Sequence, residues 1–310
     1  MGVETVVKKI VAVIVSYNPD TVHLEKMIKE IESQSVDVIV VNNGEKLDYF
    51  SEVTPLVIEI GKNVGIAEAQ NMAFAKAEQD KYTFVTIFDQ DSKIPKNFFK
   101  NMYNSLDSSE IGMVVPRIKD LNTNCYIEAR TYNRKNKVEI YEPKNLEEEN
   151  NKNTRKVAIP IASGAMIRIS AWSAAGGMTS KLFIDAVDTD FDLRLLISGY
   201  DIIQNNEVLL EHPIGNRKPI KFLGKIIFWN TNHSPLRRFT IARNSIWLYK
   251  SNKKYVKGLL SIVLRTIITH SIYIFFENKD FLKKSLLFNK GLFIGLFSKS
   301  PIVIGKQKNE

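Results

Sequence analysis

Tyr82-Thr-Phe-Val-Thr-Ile-Phe-Asp-Gln-Asp-Ser92 carries an apolar strand straight into two carboxylates one residue apart. In an extended chain residues i and i+2 share a face, so Asp89 and Asp91 can converge on a divalent cation, or on groups a cation bridges. Oxygen donors of this kind suit Mg²⁺ or Mn²⁺, commonly shared between one or two carboxylates and the phosphates of a substrate. Position matters as much as spacing, because ligands of open α/β sheets collect at the carboxyl ends of the strands. The plain alternative is a solvated Asp-x-Asp turn, and the apolar run ahead of the pair argues against it.

Outward from this stretch, the first third of the chain alternates strand and helix in the manner of a nucleotide-binding α/β unit. Ile10 to Val15 is a buried strand, Ser16 to Asp20 a turn, and His23 to Ser33 a helix with Leu24, Met27, Ile28 and Ile31 on one face. Val36 to Val41 is a second strand ending in the turn signal Asn42-Asn43-Gly44, and Val57 to Ile60 a third. Gly61 to Gly65 then leads into a helix reaching about Gln79. Beyond the two carboxylates, Ile111 to Pro116 reads as a strand. Residues 133–156 read as a mobile polar loop, too poor in apolar side chains to offset ordering entropy. Val157 to Arg168 returns to the core through Ser163-Gly164, and Ile184 to Ile197 crowds Asp185, Asp188, Asp190, Asp192 and Arg194 together.

A chain of 310 residues, 44% hydrophobic and 25% charged, can bury a full core and excludes a disordered protein. The single cysteine, Cys125, excludes an internal disulfide and agrees with a reducing compartment. Ile10 to Val15 is too brief and wrongly bounded for the apolar core of a signal peptide. The net charge of +9 is concentrated in residues 251–310, which hold 11 Lys/Arg against 3 Asp/Glu and many large apolar side chains. That combination points to an anionic membrane surface; nucleic acid would use the charge and leave the aliphatic density idle. Residues 255–276 are apolar over a length that could span a bilayer. Arg265 and His270 in the middle make helices lying in the interface the expectation, with a core helix as the alternative.

Taken in order, the motifs resemble a family 2 glycosyltransferase of the GT-A fold, and within it the bacterial rhamnosyltransferase subgroup. They are Val-Ser-Tyr-Asn-Pro (15–19), Val-Asn-Asn-Gly (41–44), Asn-Val-Gly-Ile-Ala (63–67), Phe-Asp-Gln-Asp-Ser (88–92), Ser-Gly (163–164), Gly-Gly-Met (176–178), Leu-Phe-Ile-Asp-Ala-Val-Asp-Thr-Asp-Phe-Asp-Leu-Arg (182–194) and His-Pro-Ile-Gly (212–215). The resemblance covers roughly residues 10–250. It implies an α/β, Rossmann-like nucleotide-diphospho-sugar transferase domain with a mixed central sheet over residues 1–250. A C-terminal basic, apolar, membrane-associating helical region would follow over 251–310.

The implied reaction is an inverting, metal-dependent transfer from a nucleotide sugar, dTDP-L-rhamnose or alternatively a UDP-sugar. The implied acceptor is a lipid-linked or growing surface glycan, at the cytoplasmic face of the bacterial cell membrane. By the same resemblance Asp188 is the base, and Asp89, Asp91 and His212 hold Mg²⁺ or Mn²⁺. Ser16, Tyr17, Asn18, Asn42, Asn63, Gly65, Asp89, Ser163 and Gly164 surround the donor, and Asp190, Arg194 and Arg243 meet the acceptor or diphosphate. Simpler readings stand beside these. Acids at 185, 190 and 192 suit a helix N-terminus, Asp190 and Arg194 can pair at i, i+4, His212 can be structural, and Arg243 a solvated charge. Many relatives place Asp-Asn where this chain has Asn42-Asn43, which leaves the base, uridine or thymidine, open.

Two competing readings remain. In a haloacid-dehalogenase-like phosphatase Asp89 would be a phosphorylated nucleophile, but two strand–helix units precede it here and the 185–192 acids would have no role. In a non-catalytic peripheral membrane protein the α/β domain would be a scaffold for the tail. A dinucleotide enzyme is disfavoured, since no Gly-x-Gly-x-x-Gly follows the first strand.

Overall fold

Strand β1 (Ile10–Ser16) is apolar along its length because both of its faces are covered. Its alternate residues feed two different buried clusters, Val11 and Val13 one, Ile10, Ala12 and Ile14 the other. Helix α1 (Thr21–Glu32) covers the second face with Leu24, Met27, Ile28 and Ile31, and is capped by Asp20, whose carboxylate accepts from the amides of Val22 and His23. Strands β2 (Asp37–Asn42) and β3 (Leu56–Glu59) continue the sheet in parallel. Helix α2 (Ile66–Gln79) then crosses the other face on small residues, Ala67, Ala73 and Ala77, with Phe74 filling the gap, and returns the chain to β4 (Phe84–Asp89). Strand β4 lies on the opposite side of β1, so the order of connection reverses between β1 and β4, the place where such sheets bind ligands.

The computed structural model describes residues 9–46, 50, 53–215, 217–277 and 279–305. After β4 come α3 (Phe98–Asn104), β5 (Ile111–Asp120), β6 (Cys125–Ile127), β7 (Thr131–Arg134), β8 (Val138–Tyr141), α4 (Leu146–Asn150), β9 (Thr154–Lys156), β10 (Ala165–Arg168), α5 (Ile169–Ala175), α6 (Val187–Ile197) and β11 (Asp201–His212). The main sheet is mixed, in the order β3-β2-β1-β4-β10-β5-β11-β9, with β6 beside β5. β10 runs antiparallel to both neighbours and β5 runs parallel to β11, so β1, β2, β4, β5 and β11 all end at one edge.

Residues 133–156, expected to be a mobile loop, instead supply ordered edge structure. β7 and β8 form a hairpin, and β9 pairs with β11. The reason is local: Val138 and Ile140 alternate inward with only two apolar side chains, and the buried Arg155 is held by Glu128, Gln204 and the Ala129 carbonyl. Composition averaged over the segment hides such a pattern.

The chain finishes with β12 (Lys218–Phe222), β13 (Lys225–Asn230), α7 (Pro235–Asn252), β14 (Val256–Lys257), α8 (Leu259–Phe275) and α9 (Phe281–Phe297). Among the described residues no helix is long and apolar enough to cross a membrane. Instead α9 lies along α7, at a separation set by Gly291 and Gly295. A Cβ on Gly295 would stand 2.9 Å from that of Ile246, and one on Gly291 would meet the Phe239 carbonyl. Between these helices charge is buried: Arg238 pairs with Glu277, and Glu277 with Lys284 at 2.7 Å. Burial and the neighbouring arginines push His233 down to about 2 and His270 to about 3, so both rings are neutral there.

A Gly-to-Ala change inside a helix ordinarily gains about 1 kcal/mol of propensity. At Gly291 the forced contact with backbone opposes this at about 1–3 kcal/mol, so Gly291→Ala is expected to lower stability. Chemical denaturation checks it, and a stabilised variant would contradict the close α7–α9 packing.

Candidate active site

At the sheet edge where β1, β2, β4 and β11 end, the chain forms a cleft of about 510 Å³. Tyr17, Asn43 and Asn63 line it together with Asp89, Gln90 and Asp91, with His212, Pro213 and Gly215, and with Ser234, Leu236 and Arg237. Gln90 ties the ends of β1 and β4 together, its side-chain oxygen accepting from the Tyr17 amide at 2.8 Å. Asn43 braces the entry to α2, accepting from the Val64 amide at 2.8 Å, while Asn63 accepts from the Gly65 amide at 2.9 Å.

Asp89 and Asp91 remain 44% and 51% exposed, and both reach His212, whose Nε2 lies 3.1 Å from Asp89 and whose Nδ1 lies 3.2 Å from Asp91. Burial disfavours the charged imidazole, but hydrogen bonds to the two carboxylates outweigh it and hold His212 up at about 9. Beneath them Ser92 and Ser163 share a hydrogen bond of 2.7 Å, and Ser163 accepts from the Asp89 amide at 3.2 Å. Among the described residues no group of three His, Cys, Asp or Glu side chains encloses a cation site. The three touch one another rather than surround a common point, and the histidinium supplies the positive charge between the carboxylates. As a donor set, two carboxylates and an imidazole fit Mg²⁺ or Mn²⁺.

The wall opposite is a turn that sequence patterning does not anticipate. Phe183, Asp185 and Ala186 all have positive φ, between 60° and 68°, a conformation that costs non-glycine residues about 1–3 kcal/mol each. Helix α7 holds them there. The buried Asn244 side-chain nitrogen donates to the carbonyls of Leu182, Ile184 and Asp185 at 2.9–3.0 Å. One turn and two turns earlier, Thr240 donates to Asp185 at 2.6 Å and Arg237 pairs with it at 2.6 Å. From the other side the Ile66 amide donates to the Phe183 carbonyl at 2.8 Å. Gly65 is required for that approach, because a Cβ there would sit 2.8 Å from the Phe183 Cα.

Asp188 follows this turn at the start of α6. It is not among the residues lining the cleft, yet it is near enough to feel them: burial, then the charges of Asp89 and Asp185, push it up to about 7. One turn on, Asp192 is buried and raised well above the usual carboxylate range by burial and by Asp188 and Asp190. Asp190 and Arg194, expected near the acceptor or diphosphate, are instead buried against each other at 2.7 Å, with Arg194 also donating to the Ala175 carbonyl and Thr179 to Asp190. Their shared burial leaves no face for a ligand. Arg243, expected beside them, is turned to the carbonyls of Lys181 and Leu182 and stacks 4.3 Å over Trp247.

Of the expected donor residues, Tyr17, Asn63, Gly65 and Asp89 line the cleft, and Asp91 and His212 join them. Ser16, Asn18, Asn42, Ser163 and Gly164 are not among its lining residues. Asn42 is spent on Glu59 at 2.6 Å and on the Gly44 amide, and it is the neighbouring Asn43 that lines the cleft. Gly164 has no room for a side chain, its absent Cβ falling 2.8 Å from Pro116. Gln90, Asn43 and Arg237 went unpredicted. A usable signal existed for Arg237: two arginines follow the Ser234-Pro235 helix start, where the dipole disfavours cations unless carboxylates meet them.

The family described as Glycosyl transferase family 2 matches residues 11–174. The dTDP-rhamnosyl transferase RfbF of Shigella flexneri is 30% identical over 289 residues, covering 90% of this chain and 93% of that protein. Among solved structures, GalNAc-T7 with UDP, GalNAc and Mn²⁺ superposes with a TM-score of 0.55 at 14% identity, covering 79% of this chain and 49% of that one. This chain thus spans about half the length of that structure, and the likeness establishes a shared fold. S. aureus TarS 1–349 in complex with UDP gives a TM-score of 0.48 at 11% identity, covering 92% of this chain and 71% of that one.

The clamp on the 182–186 turn generates a direct expectation. Asn244→Ala strands buried carbonyls and should cost about 2–3 kcal/mol in denaturant unfolding, with weakened nucleotide binding by calorimetry. Unchanged stability and binding would show that the strained turn does not depend on α7.

Proposed function

The chain belongs to glycosyl transferase family 2, and from that premise we propose that it transfers L-rhamnose from dTDP-L-rhamnose, with inversion, to a lipid-linked glycan acceptor. The observation that carries the reading is the meeting of Asp89, Asp91 and His212 at the strand ends, with Arg237 across the cleft and Asp188 within electrostatic reach of Asp89. The donor follows from the likeness to the Shigella flexneri dTDP-rhamnosyl transferase over 90% of the chain. A UDP-sugar is the alternative of the same fold. The phosphatase reading is set aside because the family match spans the Asp89 segment.

In this mechanism Tyr17, Asn43 and Asn63 hold the nucleoside, and Arg237 faces the diphosphate. Asp188 takes the proton from the attacking acceptor hydroxyl as the bond from the anomeric carbon to the leaving oxygen breaks on the opposite side. Mg²⁺ or Mn²⁺ held by Asp89, Asp91 and the neutral imidazole of His212 would displace the proton that His212 carries in the metal-free site, and would set positive charge against the leaving diphosphate. A base held near 7 suits this task, since it is ionised at working pH yet keeps real affinity for the proton.

The reading extends to a peripheral site at the cytoplasmic face of the cell membrane. Leu260, Leu264, Ile268 and Ile272 recur every fourth residue on α8 and are all exposed, and residues 251–310 carry the chain's excess of lysine. Deleting that segment would remove Glu277 from the buried Arg238, so surface substitutions are the usable probe.

Calorimetric titration with dTDP and UDP, with and without Mn²⁺, tests the donor site. The expected result is metal-dependent binding favouring dTDP and weakened about tenfold or more in Asp91→Ala; binding of neither nucleotide would refute the reading. For the base, activity should fall about tenfold per pH unit below about 7, because protonated Asp188 cannot accept a proton. Asp188→Asn should lose about 10²–10⁴ in turnover while keeping nucleotide affinity. A flat profile from pH 5 to 8 would remove Asp188 from that role.

A further inference from the structure

After His212 the chain leaves the cleft at Gly215, forms the β12–β13 hairpin, and rejoins the cleft wall at Ser234. The two strands pair with each other and with no third strand among the described residues. Their base is fixed to the end of α8: Phe228 stacks on Tyr273 at 5.7 Å and meets Phe276 at 5.2 Å, and Asn230 donates to the Tyr273 carbonyl at 2.9 Å. The far end is bare. Phe222 is 67% exposed, Leu223 87% and Ile227 60%, with Ile226 beside them. Lys221 and Lys225, also exposed, flank this tip, and Lys218 stands exposed at the other end of the hairpin.

Hydrophobic side chains concentrated on a protruding turn call for a covering partner. Ile226 and Ile227 sit where the hairpin register shifts, Ile227 being the extra residue between the Lys221–Ile226 and Ile220–Phe228 pairs, and both are exposed. The exposed apolar tip, with Lys221 and Lys225 beside it, offers both an apolar surface and positive charge to one partner. Charge decides which. A second copy of this chain would bring these lysines together, while anionic headgroups complement them. Phe275 and Phe276, exposed beside the hairpin base, extend the apolar surface toward the α8 stripe.

We infer that the β12–β13 hairpin is a wedge that inserts its Phe222, Leu223, Ile226 and Ile227 tip into an anionic lipid surface and so presents the cleft to an acceptor anchored there. The inference rests on the membrane reading above and gives that reading a structural element outside residues 251–310. A strand of this length reaches about 15–20 Å, so the cleft would stand that far above the inserted tip. The acceptor class that fits is an amphiphile with its apolar anchor in the bilayer and its sugar-bearing end extended through the headgroup layer.

The test uses the full chain and the double variant Leu223→Ser/Ile227→Ser, both exposed positions remote from the buried core. Flotation with vesicles of phosphatidylglycerol and phosphatidylcholine should show partitioning reduced about tenfold or more, with dTDP affinity in solution unchanged. A matched variant on α8, Leu264→Ser/Ile268→Ser, separates wedge from stripe. Vesicle binding by Leu223→Ser/Ile227→Ser equal to that of the unaltered chain overturns the wedge and leaves the stripe reading standing. Failure of the unaltered chain to bind vesicles overturns both membrane readings, while the nucleotide titration still decides glycosyl transfer. A dimer of the unaltered chain that the hairpin variant dissociates would assign the tip to a second copy and overturn the lipid assignment.

Discussion

One buried amide governs the shape of the cleft. Asn244 has two side-chain hydrogens and spreads them over three carbonyls of the 182–186 turn, where three non-glycine residues sit in left-handed backbone. A turn of that kind cannot persist on its own preferences. It persists because leaving those carbonyls unpaired in a buried site would cost more than the strain it removes. Arg237 and Thr240 add a second hold through Asp185, and Gly65 permits the approach from α2. What the turn delivers is Asp188, set at the head of α6 within electrostatic range of Asp89.

The site is a crowd of like charges managed by environment. Asp89 and Asp91 are partly exposed and share the His212 imidazole. Asp188 and Asp192 have burial and neighbouring carboxylates against them and are raised, while Asp190 is neutralised by a buried Arg194. Five acids from two distant stretches of the chain thereby meet different surroundings. Environments that push titratable groups apart are how one site accommodates both a proton acceptor and a phosphate-facing cluster.

The C-terminal region inverts the usual distribution. Arg238, Glu277 and Lys284 lie inside, between α7 and its neighbours, while leucines, isoleucines and phenylalanines of α8, α9 and the hairpin face outward. Buried charge of this kind contributes register more than stability. It joins the tail to α7, the helix that clamps the 182–186 turn, so the outward apolar surface of the tail and the turn that leads to Asp188 share one element.

The sequence alone determined the parallel start of the sheet, the position of Asp89 and Asp91 at a strand end, and the family. Each of these is written in local pattern: apolar runs of strand length, glycine at close approaches, acids spaced two apart. It misjudged residues 133–156, where two inward side chains and one satisfied arginine suffice for order, and it did not foresee the partners that Asn42, Asp190, Arg194 and Arg243 find. Those side chains have ordinary local neighbours, and their roles are fixed by partners such as Glu59, Asp190 and Trp247 or by burial. Tertiary structure alone decided that Arg237 faces the cleft and Arg238 the core, although the two are adjacent in sequence. A helix turns 100° per residue, so adjacent residues meet different surroundings, and only the packed fold says which side holds Asp185 and which Glu277.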